Sequence, residues 1–137
     1  DQWLIKSRNT QADFNRIEET AWDIPYIVMA RDRDDFTDEL LRRNIRYIGV
    51  DALFDSENTP IAQTSYTENM SKKHLVTWAN GIVYDYKAIL SAGHNDDVSV
   101  SENPDLGWGW LIDRGFRIIQ TDWTLALDRY LNKRNLR

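Results

Sequence analysis

The chain has 137 residues, a formal net charge of −5 at pH 7 and no cysteine. The absence of cysteine excludes a disulfide framework and thiol catalysis, and the negative charge argues against a nucleic-acid partner. No stretch approaches the roughly 18 consecutive apolar residues of a membrane span. We therefore expect a single globular domain over residues 1–137 that neither binds nucleic acid nor spans a membrane.

Short apolar runs alternate with amphipathic segments along the whole chain. The predicted strands cover residues 3–5, 24–30, 45–54, 75–84 and 116–120. The predicted helices cover residues 12–20, 34–44, 65–74, 107–115 and 124–132, and Gly115 is suited to end the fourth of them. Five βα units in a row predict an α/β fold with a mostly parallel sheet.

Four side chains lie near the predicted ends of strands, where parallel α/β folds usually carry their chemistry. Lys6 ends the first predicted strand and offers a point charge to a phosphate, or is a solvated surface lysine. Trp78 offers an aromatic face to an alcohol or sugar-like group, or packs in the core. Asn80 and Asp122 are candidate binding residues, but both types are also common in turns and caps.

The most polar part of the chain is the insertion at residues 91–105, which contains His94, Asn95, Asp96 and Asp97 in succession. The two carboxylates offer the oxygen ligands that Ca²⁺ or Mg²⁺ prefers. Adjacent carboxylates rarely converge on one ion, and the spacing matches no EF-hand loop. A structured surface loop with Asx-turn chemistry is therefore favoured, with substrate or metal contact as the alternative.

A second acidic group, placed after the third predicted strand, contains Asp51, Asp55, Glu57 and Asn58. Paired carboxylates can perform acid and base catalysis when their environments differ. No histidine is near enough in the sequence to orient them, so the pattern favours a turn that leads into the next helix.

Three segments carry a family resemblance: residues 1–7 (DQWLIKS), 74–80 (HLVTWAN) and 115–131 (GFRIIQTDWTLALDRYL). Together they resemble the C-terminal half of glycerophosphodiester phosphodiesterases, in the branch of Bacteroides-type bacteria that includes a domain of unknown function. That family carries a Trp and an Asn on a strand near the end of its barrel, and a Thr-Asp turn after the last strand. Trp78 with Asn80 and Thr121 with Asp122 stand in the same order here. Thr124 departs from the family, which usually has a Pro there, and the Trp-to-Asn spacing is one residue shorter than in many members.

The resemblance implies a partial (β/α)₈ barrel whose first three strands precede Asp1, because a complete barrel takes about 250 residues. It implies that a preceding part holds the family's His-Arg and Glu-x-Asp motifs, neither of which occurs here. This chain alone should then be catalytically inactive, and a divalent metal, Ca²⁺ or Mg²⁺, should bind the full-length parent rather than this chain. The implied reaction is hydrolysis of glycerophosphodiesters to glycerol 3-phosphate and an alcohol. The predicted substrate-binding residues are Lys6, Trp78, Asn80, Asp122 and His94.

The alternative is a non-catalytic binding or scaffolding module with a degenerate, self-associating barrel. A sheet that lacks three barrel strands has exposed edges, and such edges template pairing with another chain. We therefore expect a homo-oligomer, with a two-fold dimer as the simplest form. The compartment stays open, with a lean towards a periplasmic or secreted parent that rests on the resemblance.

Overall fold

The computed structural model describes residues 3–84 and 88–136, so the first two residues of the matching segment 1–7 lie outside the described part. Five strands form one parallel sheet in sequential order: β1 (Ile5–Arg8), β2 (Tyr26–Arg31), β3 (Tyr47–Leu53), β4 (Val76–Asn80) and β5 (Ile118–Gln120). The predicted α/β class and parallel sheet are confirmed.

The helices follow the strands in the predicted alternation. They are α1 (Gln11–Thr20), α2 (Thr37–Leu40), a 3₁₀ turn (Pro60–Ala62), α3 (Thr64–Lys72), α4 (Asp96–Ser101), a π-helical turn (Asp105–Gly109), α5 (Trp110–Asp113) and α6 (Thr124–Lys133). Because right-handed crossovers between sequential parallel strands all pass over the same face, they place these helices on one side of the sheet. The result is a partial barrel of the (β/α)₈ type, as predicted.

The main core lies between the sheet and the helices that cover it. Alternate side chains of the central strands point into this layer, where they meet apolar side chains from the helices and connecting loops; the fully buried members include Tyr26, Val28, Ala30, Val50, Ala52, Phe54, Ile61, Leu40 and Leu111. Phe54 stacks on Phe116 at 5.7 Å between ring centroids. One face of the sheet therefore packs against the helices.

Three predicted boundaries are wrong, for identifiable reasons. The first strand begins at Ile5, whose N–H donates to the Pro25 carbonyl at 2.9 Å, whereas Trp3 is 73% exposed. Lys6 is therefore the second residue of β1 and does not end it. The fourth strand stops at Asn80, because the next two N–H groups, of Gly81 and Ile82, both donate to the Gln120 carbonyl and turn the chain out of the ladder.

The predicted helix at 34–44 shortens to four residues. The Asp34 carboxylate accepts the N–H groups of Phe36 and Thr37, which delays the helix start. Beyond Leu40, the N–H of Arg43 bonds back only three residues. Local side-chain bonding and a tight turn therefore override an amphipathic pattern.

The insertion and the segment after it contain more helix than expected. The insertion carries α4, which Asn95 caps by accepting the Val98 N–H at 3.0 Å. The predicted Trp-rich helix is instead a π-helical turn followed by α5. Gly115 follows α5 with φ = 89°, the left-handed conformation predicted for a residue that ends a helix. No helix in residues 3–84 and 88–136 is long and apolar enough to cross a membrane.

A buried tyrosine network ties α2 to the sheet. The Asp34 carboxylate accepts hydrogen bonds from the hydroxyls of Thr37 (2.6 Å) and Tyr66 (2.8 Å), and the Tyr47 hydroxyl lies 2.7 Å from that of Thr37. Burial raises the pKa of Tyr47 well above its ordinary value, and burial together with the Asp34 charge raises the pKa of Tyr66 in the same direction.

We expect this network to make the protein sensitive to alkali. Above the ordinary tyrosine pKa of 10.0 the unfolded chain releases these protons while the folded chain keeps them, so the free energy of unfolding falls as pH rises. Urea unfolding on either side of this pH should show the fall, and Tyr66→Phe should make it shallower. The exposed Tyr84→Phe is the control. An identical pH slope in wild type and Tyr66→Phe would contradict the expectation.

Candidate functional site

A polar cluster lies on the face of the sheet opposite the helices. Its members are Lys6 on β1, Asp51 on β3, and Trp78 and Asn80 on β4. The strand register places Asp51 beside Trp78, and Asn80 follows two residues further along the same strand. Side chains two apart on a strand share a face, so three separate strands deliver these groups to one place.

The centre of the cluster is the Asp51 carboxylate, which is only 1% exposed. Its Oδ2 accepts a hydrogen bond from the Lys6 ammonium at 2.9 Å, and its Oδ1 accepts one from the Asn80 amide at 2.6 Å. Both oxygens are thus engaged, one of them in an ion pair. A buried carboxylate needs such partners, because burying an unpaired charge is strongly unfavourable.

Lys6 connects this buried pair to the open side of the sheet. Its Nζ lies 4.7 Å from the centroid of the Trp78 ring, within range of a cation–π interaction. Its side chain is 32% exposed. An ammonium has three N–H donors and Asp51 takes one, so Lys6 has donors left for an incoming anion.

A second buried carboxylate, Asp96, fastens the insertion to the turn after β5. Its Oδ1 accepts from the Trp108 indole at 2.7 Å and from the Thr121 hydroxyl at 2.8 Å, and its Oδ2 accepts the Asp122 N–H at 2.9 Å. Asp96 and Trp108 are each 2% exposed. Asp96 is therefore a structural anchor that holds two loops together beyond the ends of β4 and β5.

The structure brings together three of the five predicted binding residues. Lys6, Trp78 and Asn80 share one cluster, but His94 makes other contacts. Its ring stacks on Trp110 at 3.9 Å between centroids, and its two nitrogens lie 2.9 Å from a Glu57 carboxylate oxygen and 2.6 Å from the Leu106 carbonyl. Asp122 contacts Asp96 through its backbone, and its own side chain is exposed.

The described residues offer no metal site. Residues 3–84 and 88–136 contain no group of three or more His, Asp or Glu side chains placed to hold a metal ion. Both oxygens of Asp51 are engaged by Lys6 and Asn80. In the insertion, Asp96 is buried and bonded whereas Asp97 is exposed, so the two do not converge on one ion. The described residues therefore do not fit a divalent metal, which the resemblance assigns to the full-length parent rather than to this chain.

Sequence reasoning misplaced the key carboxylate. The predicted strand 45–54 contains Asp51, yet the sequence pattern groups this residue with the acidic residues of the following turn; in the structure it lies inside β3, in an otherwise apolar run. That placement was itself a usable signal, because a lone carboxylate within a buried strand requires a partner. Asp55, by contrast, is exposed in the following turn and pairs with Arg31 at 2.6 Å.

The fold and this cluster define a partial βα barrel with a charged, hydrogen-bonded cluster on the face of its sheet opposite the helices. Residues 25–131 match the DUF4996 family, described as a domain of unknown function, and the chain belongs to this family. The match includes Asp51, Trp78 and Asn80, while Lys6 precedes it. A search of curated proteins finds no match to the chain.

The anchor role of Asp96 can be tested with its neighbour as the control. Asp96→Asn replaces one acceptor oxygen with a donor that faces donors, so the free energy of unfolding should fall by about 1.5–3 kcal/mol. Asp97→Asn, at an exposed site one residue away, should change it by less than about 0.5 kcal/mol. Urea unfolding of both variants gives the comparison. Equal effects of the two substitutions would show that Asp96 is not an anchor.

Proposed function

We propose that this chain forms the C-terminal part of a metal-dependent glycerophosphodiester phosphodiesterase and shapes its substrate pocket. The observation that carries the proposal is the convergence of Lys6, Trp78 and Asn80 on the face of the sheet opposite the helices. The family resemblance points to the Trp and the Asn, and Lys6 is a candidate phosphate ligand because it offers a point charge. Substrate pockets of (β/α)₈ barrels form beyond the carboxyl ends of the strands. Asn80 ends β4 and Asp51 lies two residues before the end of β3, and the Lys6 side chain reaches Asp51 from the second residue of β1.

Lys6 is the phosphate ligand in this proposal. Asp51 holds the ammonium by one N–H and leaves other donors for a phosphodiester oxygen. Asn80 fixes the second oxygen of Asp51, so the carboxylate cannot rotate away from Lys6. Asp51 and Asn80 are thus positioning residues, and Lys6 touches the substrate.

The reaction needs groups that the described residues do not supply. In hydrolysis, a water oxygen bonds to phosphorus, the bond from phosphorus to the alcohol oxygen breaks, and the alcohol leaves with a proton. The resemblance assigns the metal and the acid and base groups to a preceding part of the parent protein. The contribution proposed for this chain is to bind and orient the diester.

The full-length parent provides the test. With Mg²⁺ or Ca²⁺ it should release glycerol 3-phosphate from glycerophosphodiesters such as glycerophosphocholine. Lys6→Met should lower kcat/KM by about 10- to 100-fold, because it removes a hydrogen bond from a charged donor to the phosphate. Lys72→Met, at an exposed position in the last turn of α3, is the matched control and should leave kcat/KM unchanged.

Two results would overturn this assignment. The first is a full-length protein that hydrolyses no glycerophosphodiester with either metal. The second is a Lys6→Met variant that is folded, by circular dichroism, and as active as Lys72→Met. The first result would refute the proposed phosphodiesterase activity. The second would refute only the proposed role of Lys6 as the phosphate ligand.

The alternative function, a self-associating binding or scaffolding module, is favoured by the open sheet. β1 and β5 are the two edges of the sheet in the described residues. Large apolar side chains are exposed next to both strands in the sequence: Trp3 precedes β1 at 73% exposure, and Leu125, in the first turn of the α6 helix that follows β5, is 75% exposed. Unprotected edges flanked by apolar groups promote pairing with another chain.

Light scattering on the 137-residue chain tests self-association. We expect a mass of twice the 16.1 kDa chain or more, because pairing removes the exposed edges from water. A variant with Trp3→Lys and Leu125→Lys should shift the population towards monomer. A strictly monomeric wild-type chain at high concentration would contradict the expectation and remove the support for a self-associating module.

A further inference from the structure

Two buried polar atoms in the described residues have no hydrogen-bond partner. They are the indole nitrogen Nε1 of Trp78 and the side-chain carbonyl oxygen Oε1 of Gln120. Buried polar groups in folded proteins are nearly always hydrogen-bonded, so an unsatisfied one requires an explanation. Here there are two of opposite kind, a donor and an acceptor.

The two atoms belong to neighbouring strands and to the same face of the sheet. Trp78 pairs in register with Ile118, and Asn80 pairs with Gln120. Gln120 is therefore the diagonal neighbour of Trp78, two residues further along the adjacent strand. Side chains in such diagonal positions are within reach of one another when they are long or aromatic.

The edge of the Trp78 ring carries the only polar group of that side chain, and this group is buried and unpaired. The Lys6 ammonium lies over the face of the indole, at 4.7 Å from the centroid. That position is the one a stacking ligand would need on this side of the ring. The indole N–H at the ring edge is the unused polar group.

We propose that Trp78 Nε1–H and Gln120 Oε1 together bind one hydroxyl group of the ligand. A hydroxyl both accepts and donates, so it satisfies the indole donor and the amide acceptor at once. An ether oxygen or a carboxylate cannot donate to Gln120, and an ammonium group cannot accept from Trp78. The pair therefore favours a hydroxyl group over an ether, a carboxylate or an ammonium group.

This site lies beside the cation that would hold a phosphate. Lys6 touches both the Asp51 carboxylate and the Trp78 ring, so a molecule bound to its ammonium extends past Trp78. A phosphate joined to a polyol would place its anion on Lys6 and its hydroxyl on the Trp78–Gln120 pair. The identification of that polyol as the glycerol part of a diester rests on the proposed function; hydroxyl recognition does not.

The indole resonances of the ¹⁵N-labelled chain give a direct readout. The sequence contains six tryptophans, and loss of one indole cross-peak in Trp78→Phe assigns the relevant signal. Titration with glycerol and with glycerol 3-phosphate should shift this cross-peak in both cases, and at lower concentration with glycerol 3-phosphate. Ethylene glycol dimethyl ether, which has no hydroxyl group and no charge, should shift it much less.

A control tryptophan signal and two Gln120 variants distinguish hydroxyl binding at Trp78 from a general change in the structure. Trp22 is 53% exposed in the loop before β2, and β3 separates β2 from the strand that carries Trp78, so its cross-peak should not move. Gln120→Met keeps the side-chain length but removes the acceptor, and should weaken glycerol 3-phosphate binding about tenfold, as loss of one hydrogen bond does. Gln120→Glu keeps acceptor oxygens at the same position and should retain a shift on addition of glycerol.

Three results would overturn the inference: a Trp78 signal that glycerol 3-phosphate does not move, an equal response to the dimethyl ether, or unchanged binding by a folded Gln120→Met variant. The hydrolysis assay of the full-length protein tests the proposed function separately from the hydroxyl site. If the full-length protein cleaves diesters but Trp78 does not respond, the hydroxyl site is wrong and the phosphodiesterase stands. If Trp78 responds to glycerol but no diester is cleaved, the hydroxyl site stands alone.

Discussion

Each strand of the sheet lies beside the strand that precedes it in the chain, and this order places every crossover on the same face. The helices therefore cover one side of the sheet, where they bury the apolar half of each strand. The other side is left for residues that do not pack against helices. In this chain those residues include Lys6, Asp51, Asn80 and Gln120, so the division between core and candidate site follows from topology before any particular side chain is considered.

On that open side, the organising group is a carboxylate that water hardly reaches. Asp51 is fixed by one cation and one amide from different strands, and the cation also lies over an aromatic ring. Such a network stabilises a charge only when every partner is present, because removal of one leaves the carboxylate buried and uncompensated. Its position is consequently set by β1, β3 and β4 together, and a shift of any one strand would disturb the arrangement.

The sequence predicted most reliably the features that depend on local pattern. The apolar runs that became β2 and β3 and the stripe that became α6 were found because burial imposes a period on the residues themselves. The start of β1 was missed, since an exposed Trp3 resembles a strand residue in composition. The short α2 was missed because its limits depend on bonds made by the Asp34 side chain. At the site, Lys6, Trp78 and Asn80 could be selected by residue type and position. Their contacts with Asp51 could not be predicted, because Lys6 and Asp51 are 45 residues apart in the sequence and meet only in the folded chain.

Asp96 has a consequence for the motions of this domain. It ties α4 and Trp108, which belong to the insertion and the turn that follows it, to the residues that precede α6. Gly81, at the end of β4, is packed so closely that a Cβ on it would lie 2.8 Å from an Asp96 oxygen. The segments after β4 and after β5 are therefore joined in one cooperative unit, and their amide hydrogens should become accessible to exchange together. Access to the ends of these two strands is then governed by a single opening event rather than by two independent loops.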